Sequence, residues 1–197
     1  MIKAVKVLKL LWRKIWTLLS TAWTRLLFRV NGVKCGRGLR ATGIPSVNVS
    51  LGGKAEIGER FHIRTGVSST EVGTPGTRIR VGRGGRLRIG NRVGMSNATI
   101  CCEESVEIGN DVMLGGGAQV FDTNFHSTDA SERIAGPSVG VRTAPVTIGD
   151  RAFVGANAMV CKGVAIGAEA VIAAGSVVVR SVPPGEVWGG NPAIRIK

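Results

Sequence analysis

The sequence predicts an all-β fold, a solenoid of short parallel strands, that is preceded by one amphipathic α-helix. Three observations predict it: a six-residue spacing of aliphatic residues, a high glycine content, and a basic N-terminal segment with helical periodicity. The chain has 197 residues, of which 44% are hydrophobic and 20% charged, so a packed core is expected. Its 29 glycines show no Gly-X-Y period, which excludes a collagen helix.

The first 31 residues are predicted to form a helix outside the solenoid. Its apolar residues follow the i, i+3, i+4 spacing of one helix face. They are Leu8, Leu11, Trp12, Ile15, Leu18, Leu19, Ala22, Trp23 and Leu26. Asn31 and Gly32 form a typical C-terminal stop. We therefore expect a helix over residues 1–31 and a solenoid domain over residues 32–197.

The charge of this segment favours a membrane surface as its partner. Ten basic residues lie in residues 1–40, and no acidic residue precedes Glu56. The longest uncharged run, residues 15–24, is shorter than the roughly 20 residues that a membrane span needs. A basic amphipathic helix with tryptophans is typical of the membrane interface. Packing of the helix on the domain or on a sister subunit is the alternative. The rest of the chain is nearly neutral and poor in aromatic residues, so no nucleic-acid partner is expected.

An aliphatic residue recurs at every sixth position in much of the remaining chain. In the second half these residues are Ile148, Val154, Val160, Ile166, Ile172 and Val178. In the first half they are Ile89, Met95 and Cys101, then Ile108, Leu114 and Val120. A period of six fits a solenoid in which three hexads close one triangular coil. We expect the aliphatic residue to point inward, and the small residue that often follows it to permit a tight corner.

These hexads, with the segment PVTIGDRAFVGANAMV and the tail GNPAIRIK, resemble the hexapeptide-repeat family. The similarity is to its sugar O-acetyltransferase branch, which includes the maltose, galactoside, nodulation and colanic-acid type (exopolysaccharide) acetyltransferases, and it covers residues 45–197. The resemblance implies a left-handed parallel β-helix, a homotrimer and acetyl-CoA as the co-substrate. It also implies an acceptor hydroxyl on a sugar. The basic helix adds the expectation of a lipid-linked glycan precursor modified at the cytoplasmic face of the membrane, because such an acceptor would favour a peripheral anchor.

The six-residue spacing is interrupted between Val120 and Ile148 by a polar segment, residues 121–145, that is predicted to be an extruded loop. Long loops on regular scaffolds tend to carry function. The loop contains His126, and the resemblance implies that this residue is the general base. Histidine suits the role because its charge changes near neutral pH. Asp122 is predicted to orient the ring, and Asn124 to orient it or bind the acceptor. A solvated loop histidine is the alternative.

The resemblance also places the donor along the coil edges, in a groove between two subunits. It implies that the main chains of Ala156 and Ala174 bind the pantetheine arm. Arg180 and Lys197 are expected near the phosphates of CoA. Ile194 stands where the family usually has a basic residue, so Arg195 is expected to replace it.

Two further positions carry alternatives. Trp188 is predicted either to stack on the adenine of CoA or to cap the solenoid. Asn97 is predicted to contact the acceptor, and the alternative is a corner asparagine in the left-handed conformation.

No metal is expected. His62 is interpreted as a structural residue, and two histidines do not supply the three zinc ligands of a gamma-class carbonic anhydrase. The four cysteines contain no C-x-x-C pair and are predicted to be packing residues in a reducing compartment. They are Cys35, Cys101, Cys102 and Cys161. No glycine-rich motif for ATP or NAD is present.

Three functional hypotheses follow from these observations. The first is an acetyl-CoA-dependent O-acetyltransferase of surface-polysaccharide biosynthesis that is peripheral on the cytoplasmic membrane. The second is a soluble acetyltransferase for serine, a free sugar or an antibiotic. The third is a membrane-bound solenoid scaffold without catalytic activity.

Overall fold

The computed structural model describes residues 2–66 and 76–197, and for residues 2–4 only the backbone. One helix precedes six coils of three short strands, and a final strand pair ends the chain. In chain order the elements are α1 (Ile2–Val30), β1 (Lys34–Cys35), β2 (Arg40–Thr42), β3 (Ser46–Val49), β4 (Lys54–Ile57), β5 (His62–Arg64), β6 (Arg78–Val81), β7 (Arg86–Ile89), β8 (Gly94–Ser96), β9 (Thr99–Cys102), β10 (Ser105–Ile108), β11 (Met113–Leu114), β12 (Gln119–Phe121), α2 (Ala130–Ala135), β13 (Val146–Ile148), β14 (Phe153–Val154), β15 (Met159–Val160), β16 (Ala165–Ile166), β17 (Val171–Ile172), β18 (Val177–Val178), β19 (Val187–Gly190) and β20 (Ala193–Arg195).

Equivalent strands of successive coils pair in parallel and form the three faces of a prism. Sheet A has the order β1-β4-β7-β10-β13-β16, and sheet C has the order β3-β6-β9-β12-β15-β18. Sheet B runs β2-β5-β8-β11-β14-β17 and then continues into β19 and β20. The predicted left-handed parallel β-helix is confirmed, and its first coil begins at Lys34.

The inward-pointing residues form one continuous core along the prism. Each of the six aliphatic residues of the second half has at most 2% of its surface exposed. In the first half one position was wrong, because Cys101 is only half-buried and Ile100 stands beside Val120 in the sheet. The reason is a corner at Asn97 (φ +44°) that is one residue shorter than the equivalent corner before Val120.

Glycine at the corners permits close contact between coils. A Cβ atom on Gly149 would lie 2.5 Å from the backbone nitrogen of Ala168 in the next coil. Real Cβ contacts are essentially never that short. This position therefore needs glycine for space and not for an unusual dihedral angle.

Helix α1 packs on the open edge of sheet B through its polar face. The hydroxyl of Ser20 donates to the carbonyl of Ala41 (2.7 Å), and the hydroxyl of Thr21 accepts from the N–H of the same residue (2.9 Å). Thr24 and Phe28 are buried on this side. An edge strand exposes unpaired backbone groups. The hydroxyls of α1 form hydrogen bonds with the unpaired backbone groups of β2.

The opposite, apolar face of α1 is exposed. Its large side chains have between 38% and 72% of their surface accessible: Leu8, Leu11, Trp12, Ile15, Trp16, Leu18, Leu19, Trp23 and Leu26. The helix thus packs on the domain, as the alternative from the sequence proposed, and yet its apolar face stays free. No helix in the described ranges has the length and apolarity that a bilayer span requires.

Candidate active site

The segment between β12 and β13 leaves the prism through a short two-stranded stem. Thr123 and Thr143 form an antiparallel bridge. On either side of it, the N–H of Ala144 donates to the carbonyl of Asp122 (2.9 Å), and the N–H of Asn124 donates to that of Arg142 (3.1 Å). The base of the loop is therefore held by backbone hydrogen bonds.

The tip of the loop contains a helix that the sequence analysis missed. Helix α2 is capped by Asp129, whose carboxylate accepts from the N–H groups of Ser131 (2.7 Å) and Glu132 (3.1 Å). The hydrogen bond from the Ser131 hydroxyl, with these N–H groups, holds the pKa of Asp129 below its usual value. An aspartate followed three residues later by a glutamate resembles a capping box, and that signal was present in the sequence.

The residue that follows His126 is fixed to this helix. Ser127 is buried, and its hydroxyl donates to the carboxylate of Glu132. The same hydroxyl accepts from the N–H of Asp129 (3.0 Å). The guanidinium of Arg133 donates to the carbonyl of Ser127 (2.9 Å). The backbone at His126 is thus braced from its C-terminal side.

The residue that precedes His126 is also fixed. Phe125 adopts a left-handed conformation (φ +62°), and its ring contacts that of Phe121 edge to face at 5.1 Å. The N–H of His126 donates to the carbonyl of Asn124 (2.7 Å). The His126 side chain is exposed, and within the described residues its ring has no hydrogen-bond partner. A braced loop thus presents an accessible imidazole.

Asp122 requires a correction. Its side chain is fully buried, and its carboxylate accepts from the N–H groups of Glu103, Glu104 and Ser105, each at 2.8 Å. These bonds close a corner of the neighbouring coil, and none joins Asp122 to His126. The prediction that Asp122 orients the ring is therefore wrong, and its role is structural.

Asn97 requires a similar correction. It is 3% exposed, and its side-chain oxygen accepts from the N–H groups of Gly66 (2.8 Å) and Gly76 (3.0 Å). Its amide nitrogen donates to the carbonyl of Gly66 (3.3 Å). The alternative, a corner asparagine in the left-handed conformation, describes this residue. Asn124 is half-buried at the stem, and its predicted role stays a prediction.

The structure places Ala156 and Ala174 at the same corner of successive coils. The carbonyl of Ala156 accepts from the N–H of Gly175 (2.8 Å), which belongs to the corner of Ala174. Neither alanine N–H has a hydrogen-bond partner among the described residues. Two unpaired donors therefore lie one coil apart on the same edge of the prism.

The other residues predicted to bind the cofactor lie at the C-terminal end of the solenoid. Glu186 accepts from the indole N–H of Trp188 (2.7 Å) and forms an ion pair with Arg195 (3.3 Å). Trp188 is partly buried against the core, and its two predicted roles, stacking on adenine and capping the solenoid, stay predictions. Arg180 and Lys197 are exposed.

Burial raises the pKa of the Cys102 thiol to about 12, so this thiol stays protonated at neutral pH. Over residues 2–66 and 76–197, no group of three His, Cys, Asp or Glu side chains is placed to hold a metal ion.

Comparisons with known proteins agree with this fold. A family model described as the hexapeptide repeat of succinyl-transferase matches residues 145–180. A Schizosaccharomyces pombe protein named "putative acetyltransferase" is 37% identical over 101 residues, which are 51% of this chain and 47% of that protein. The chain thus spans about half the length of the curated relatives it matches.

The similar solved structures include a hexapeptide-repeat-containing acetyltransferase of Vibrio cholerae. Its complex with acetyl-CoA is 28% identical, has a TM-score of 0.51, and aligns with 70% of this chain and 64% of that one. Another structure of the same protein is 25% identical and has a TM-score of 0.59. It aligns with 91% of this chain and 81% of that one. The family model and these neighbours thus show that the solenoid of this chain is similar to that of hexapeptide-repeat acetyltransferases.

Proposed function

We propose that the protein is an O-acetyltransferase that moves an acetyl group from acetyl-CoA to a hydroxyl of a sugar or lipid-linked glycan precursor. One observation carries the proposal: a braced loop presents His126 on a solenoid whose relatives are acetyltransferases, one of them with acetyl-CoA bound. Exposure of the ring leaves room for an acceptor beside it.

In the proposed reaction His126 is the general base. The acceptor hydroxyl attacks the thioester carbonyl while the imidazole takes the hydroxyl proton. The tetrahedral intermediate then expels the thiolate of CoA, which takes the proton from the imidazolium. The products are an acetyl ester and free CoA, and histidine returns to its neutral form.

The donor is proposed to lie along the corner of Ala156 and Ala174. The two unpaired N–H groups there are suitable donors for amide carbonyls of the pantetheine arm. Small side chains allow such close backbone approach. Arg180 and Lys197, both exposed, would face the phosphates, whereas Arg195 is already paired with Glu186.

A homotrimer is proposed to complete the site. In one chain the His126 ring stands on the surface, where water would compete with the acceptor. A neighbouring subunit placed against the loop would form a cleft that excludes water, which strengthens the electrostatic interactions of the reaction.

Replacement of His126 tests the chemistry. We expect His126→Ala to slow CoA release from acetyl-CoA by about 10²–10⁴-fold, the usual contribution of a general base. The measurement is thiol release from purified protein with a panel of free sugars and polyprenyl-linked glycans. Thr128→Ala, an exposed position on the same loop, is the matched control.

The outcomes separate the competing functions. A rate that is equal in wild type and His126→Ala would overturn the proposal. Failure of the wild-type protein to bind acetyl-CoA would favour the scaffold. Transfer to free sugars or serine alone, independent of residues 1–30, would favour a soluble acetyltransferase.

Helix α1 is proposed to hold the enzyme on an anionic membrane surface. Its exposed apolar face carries Trp12, Trp16 and Trp23, and no acidic residue lies in the first 55 residues. Apolar burial and attraction to anionic lipid together give such binding. Peripheral location at the cytoplasmic face would bring the site to a lipid-linked acceptor.

A vesicle experiment tests this anchor. We expect the wild-type protein to sediment with vesicles of phosphatidylcholine and phosphatidylglycerol, and Leu11→Glu/Leu18→Glu to lose most of that binding. Leu51→Glu/Val179→Glu makes the same two changes at exposed sites outside the helix and is the control. Equal binding of both double variants would contradict the anchor.

A further inference from the structure

A second candidate site lies between α1 and the outer surface of sheet B. It is a cavity of about 380 Å³, near the lower end of the usual size of small-molecule sites. Its lining comes from the helix and from the first two coils: Arg13, Thr17, Arg40, Thr42, His62, Ile63 and Arg64. None of these residues belongs to the proposed acetyl-transfer site.

The alternation of side chains along β2 and β5 explains why several basic side chains lie together in this cavity. In β2 and β5 the buried residues are Ala41 and Ile63, so their neighbours point outward. Arg40 stands beside His62 in the sheet, and Thr42 stands beside Arg64. Adjacent strands lie about 4.8 Å apart, which brings these outward side chains together.

Helix α1 adds the guanidinium group of Arg13 to those of Arg40 and Arg64. Thr17 is buried against the domain, and its hydroxyl lies 3.4 Å from that of Thr42. Arg13 precedes Thr17 by one helical turn, and therefore lies on the same side of α1. The contact between α1 and β2 thus holds Arg13 over the outward residues of the sheet.

The positive charges of this cavity are not balanced within the described residues. No aspartate or glutamate is among the lining residues. The ion pairs of the described chain involve other basic residues, and Arg13, Arg40 and Arg64 take part in none. An anion would remove the mutual repulsion of the three guanidinium groups.

The number of donors indicates the kind of anion. Guanidinium groups bind phosphate oxygens through paired, charge-assisted hydrogen bonds. Three of them, with an imidazole and the Thr42 hydroxyl, exceed what a singly charged phosphodiester needs. A diphosphate or a phosphomonoester, with two or more negative charges, matches them better.

We propose that this cavity binds a diphosphate or phosphomonoester group. The site adjoins the helix that is proposed to lie on the membrane, so the phosphate of a lipid-linked acceptor is the source that fits its position. This source rests on the proposed function, whereas phosphate binding itself does not.

Calorimetric titration of the full-length protein with inorganic pyrophosphate tests the site. With saturating CoA present to occupy its own proposed phosphate contacts, we expect one ion per chain, and an affinity about a hundredfold lower in Arg40→Ala/Arg64→Ala, because two charge-assisted contacts are lost. Both side chains are exposed, so the fold should survive. Arg83→Ala/Arg86→Ala removes the same charge from exposed positions outside the cavity and is the control.

Unchanged affinity in Arg40→Ala/Arg64→Ala, or an equal loss in the control, would overturn the proposal. His126→Ala should bind pyrophosphate like wild type. Phosphate binding can therefore be tested even if the proposed acetyl transfer is not observed.

Vesicle binding distinguishes a lipid from a soluble molecule as the source of the bound phosphate group. Phosphatidic acid, a phosphomonoester, should retain the wild-type protein better than phosphatidylglycerol at equal surface charge, and pyrophosphate should remove that preference. Absence of the preference, with pyrophosphate still bound, would overturn the lipid source and assign the site to a soluble diphosphate.

Discussion

At the scale of single residues, Asp122 shows how a buried carboxylate can serve the solenoid alone. It accepts three backbone N–H groups of the corner at residues 103–105. Asp122→Ala should lower the free energy of unfolding by about 2–4 kcal/mol, since these donors lose a charged partner. Urea unfolding measures the change. Asp122→Asn retains one acceptor oxygen, so its loss should be smaller.

Asp122→Asn also tests whether Asp122 acts on the solenoid corner alone. If Asp122 acts only on the corner, Asp122→Asn should keep the midpoint of the pH profile of acetyl transfer. A shifted midpoint would instead show that the carboxylate influences the proposed base, His126.

The residues of the site differed in how well the sequence predicted them. His126 was noticed because it lies where the six-residue spacing stops. Asp122 and Asn97 were misread because their partners lie 17 to 31 residues away, in a neighbouring coil. Only the stacking of coils brings these groups together, and no local pattern reports that stacking.

At the scale of elements, α1 shows that periodicity predicts a helix and its faces, but not which face contacts the domain. The apolar face would ordinarily be expected to pack. Here the edge strand β2 offers unpaired backbone groups, and a buried group left unpaired costs about 1–3 kcal/mol. Ser20 and Thr21 bind these groups, so the polar face turns inward.

Helix α2 was missed for a different reason. It has only six residues, all of them outside the core. Because it buries no apolar residue, it leaves no hydrophobic period in the sequence. Its cap at Asp129 and the contacts of Ser127 hold it in place.

At the scale of the whole molecule, the distance between coils sets which corners need glycine. Gly149→Ala would force the backbone of residues 149 and 168 apart, and should destabilise the protein by about 1–3 kcal/mol. Gly94→Ala is the matched control, since nothing lies within 4 Å of the added methyl group.

Thermal or urea unfolding of both glycine variants measures the difference. Equal stabilities would mean that the coils separate more easily than their packing indicates.

Much of the architecture could be predicted because every coil of a solenoid repeats the same six-residue spacing of buried aliphatic residues. The spacing of six placed Ile148, Val154 and Val160 in the core correctly. It failed at Cys101 because one short corner shifts every later residue of that coil. The first coil lies within the predicted solenoid domain, although its strands carry no aliphatic residue followed directly by glycine.

The stacking of the coils also has a consequence for acceptor selection. The loop with His126 leaves the fourth strand of sheet C, three strand spacings from the coil that α1 covers. At about 4.8 Å for each spacing, this is a height of about 14 Å. An enzyme anchored by α1 would therefore act as a molecular ruler. It would acetylate hydroxyls that stand at least that far from the lipid and pass over those that lie closer to it.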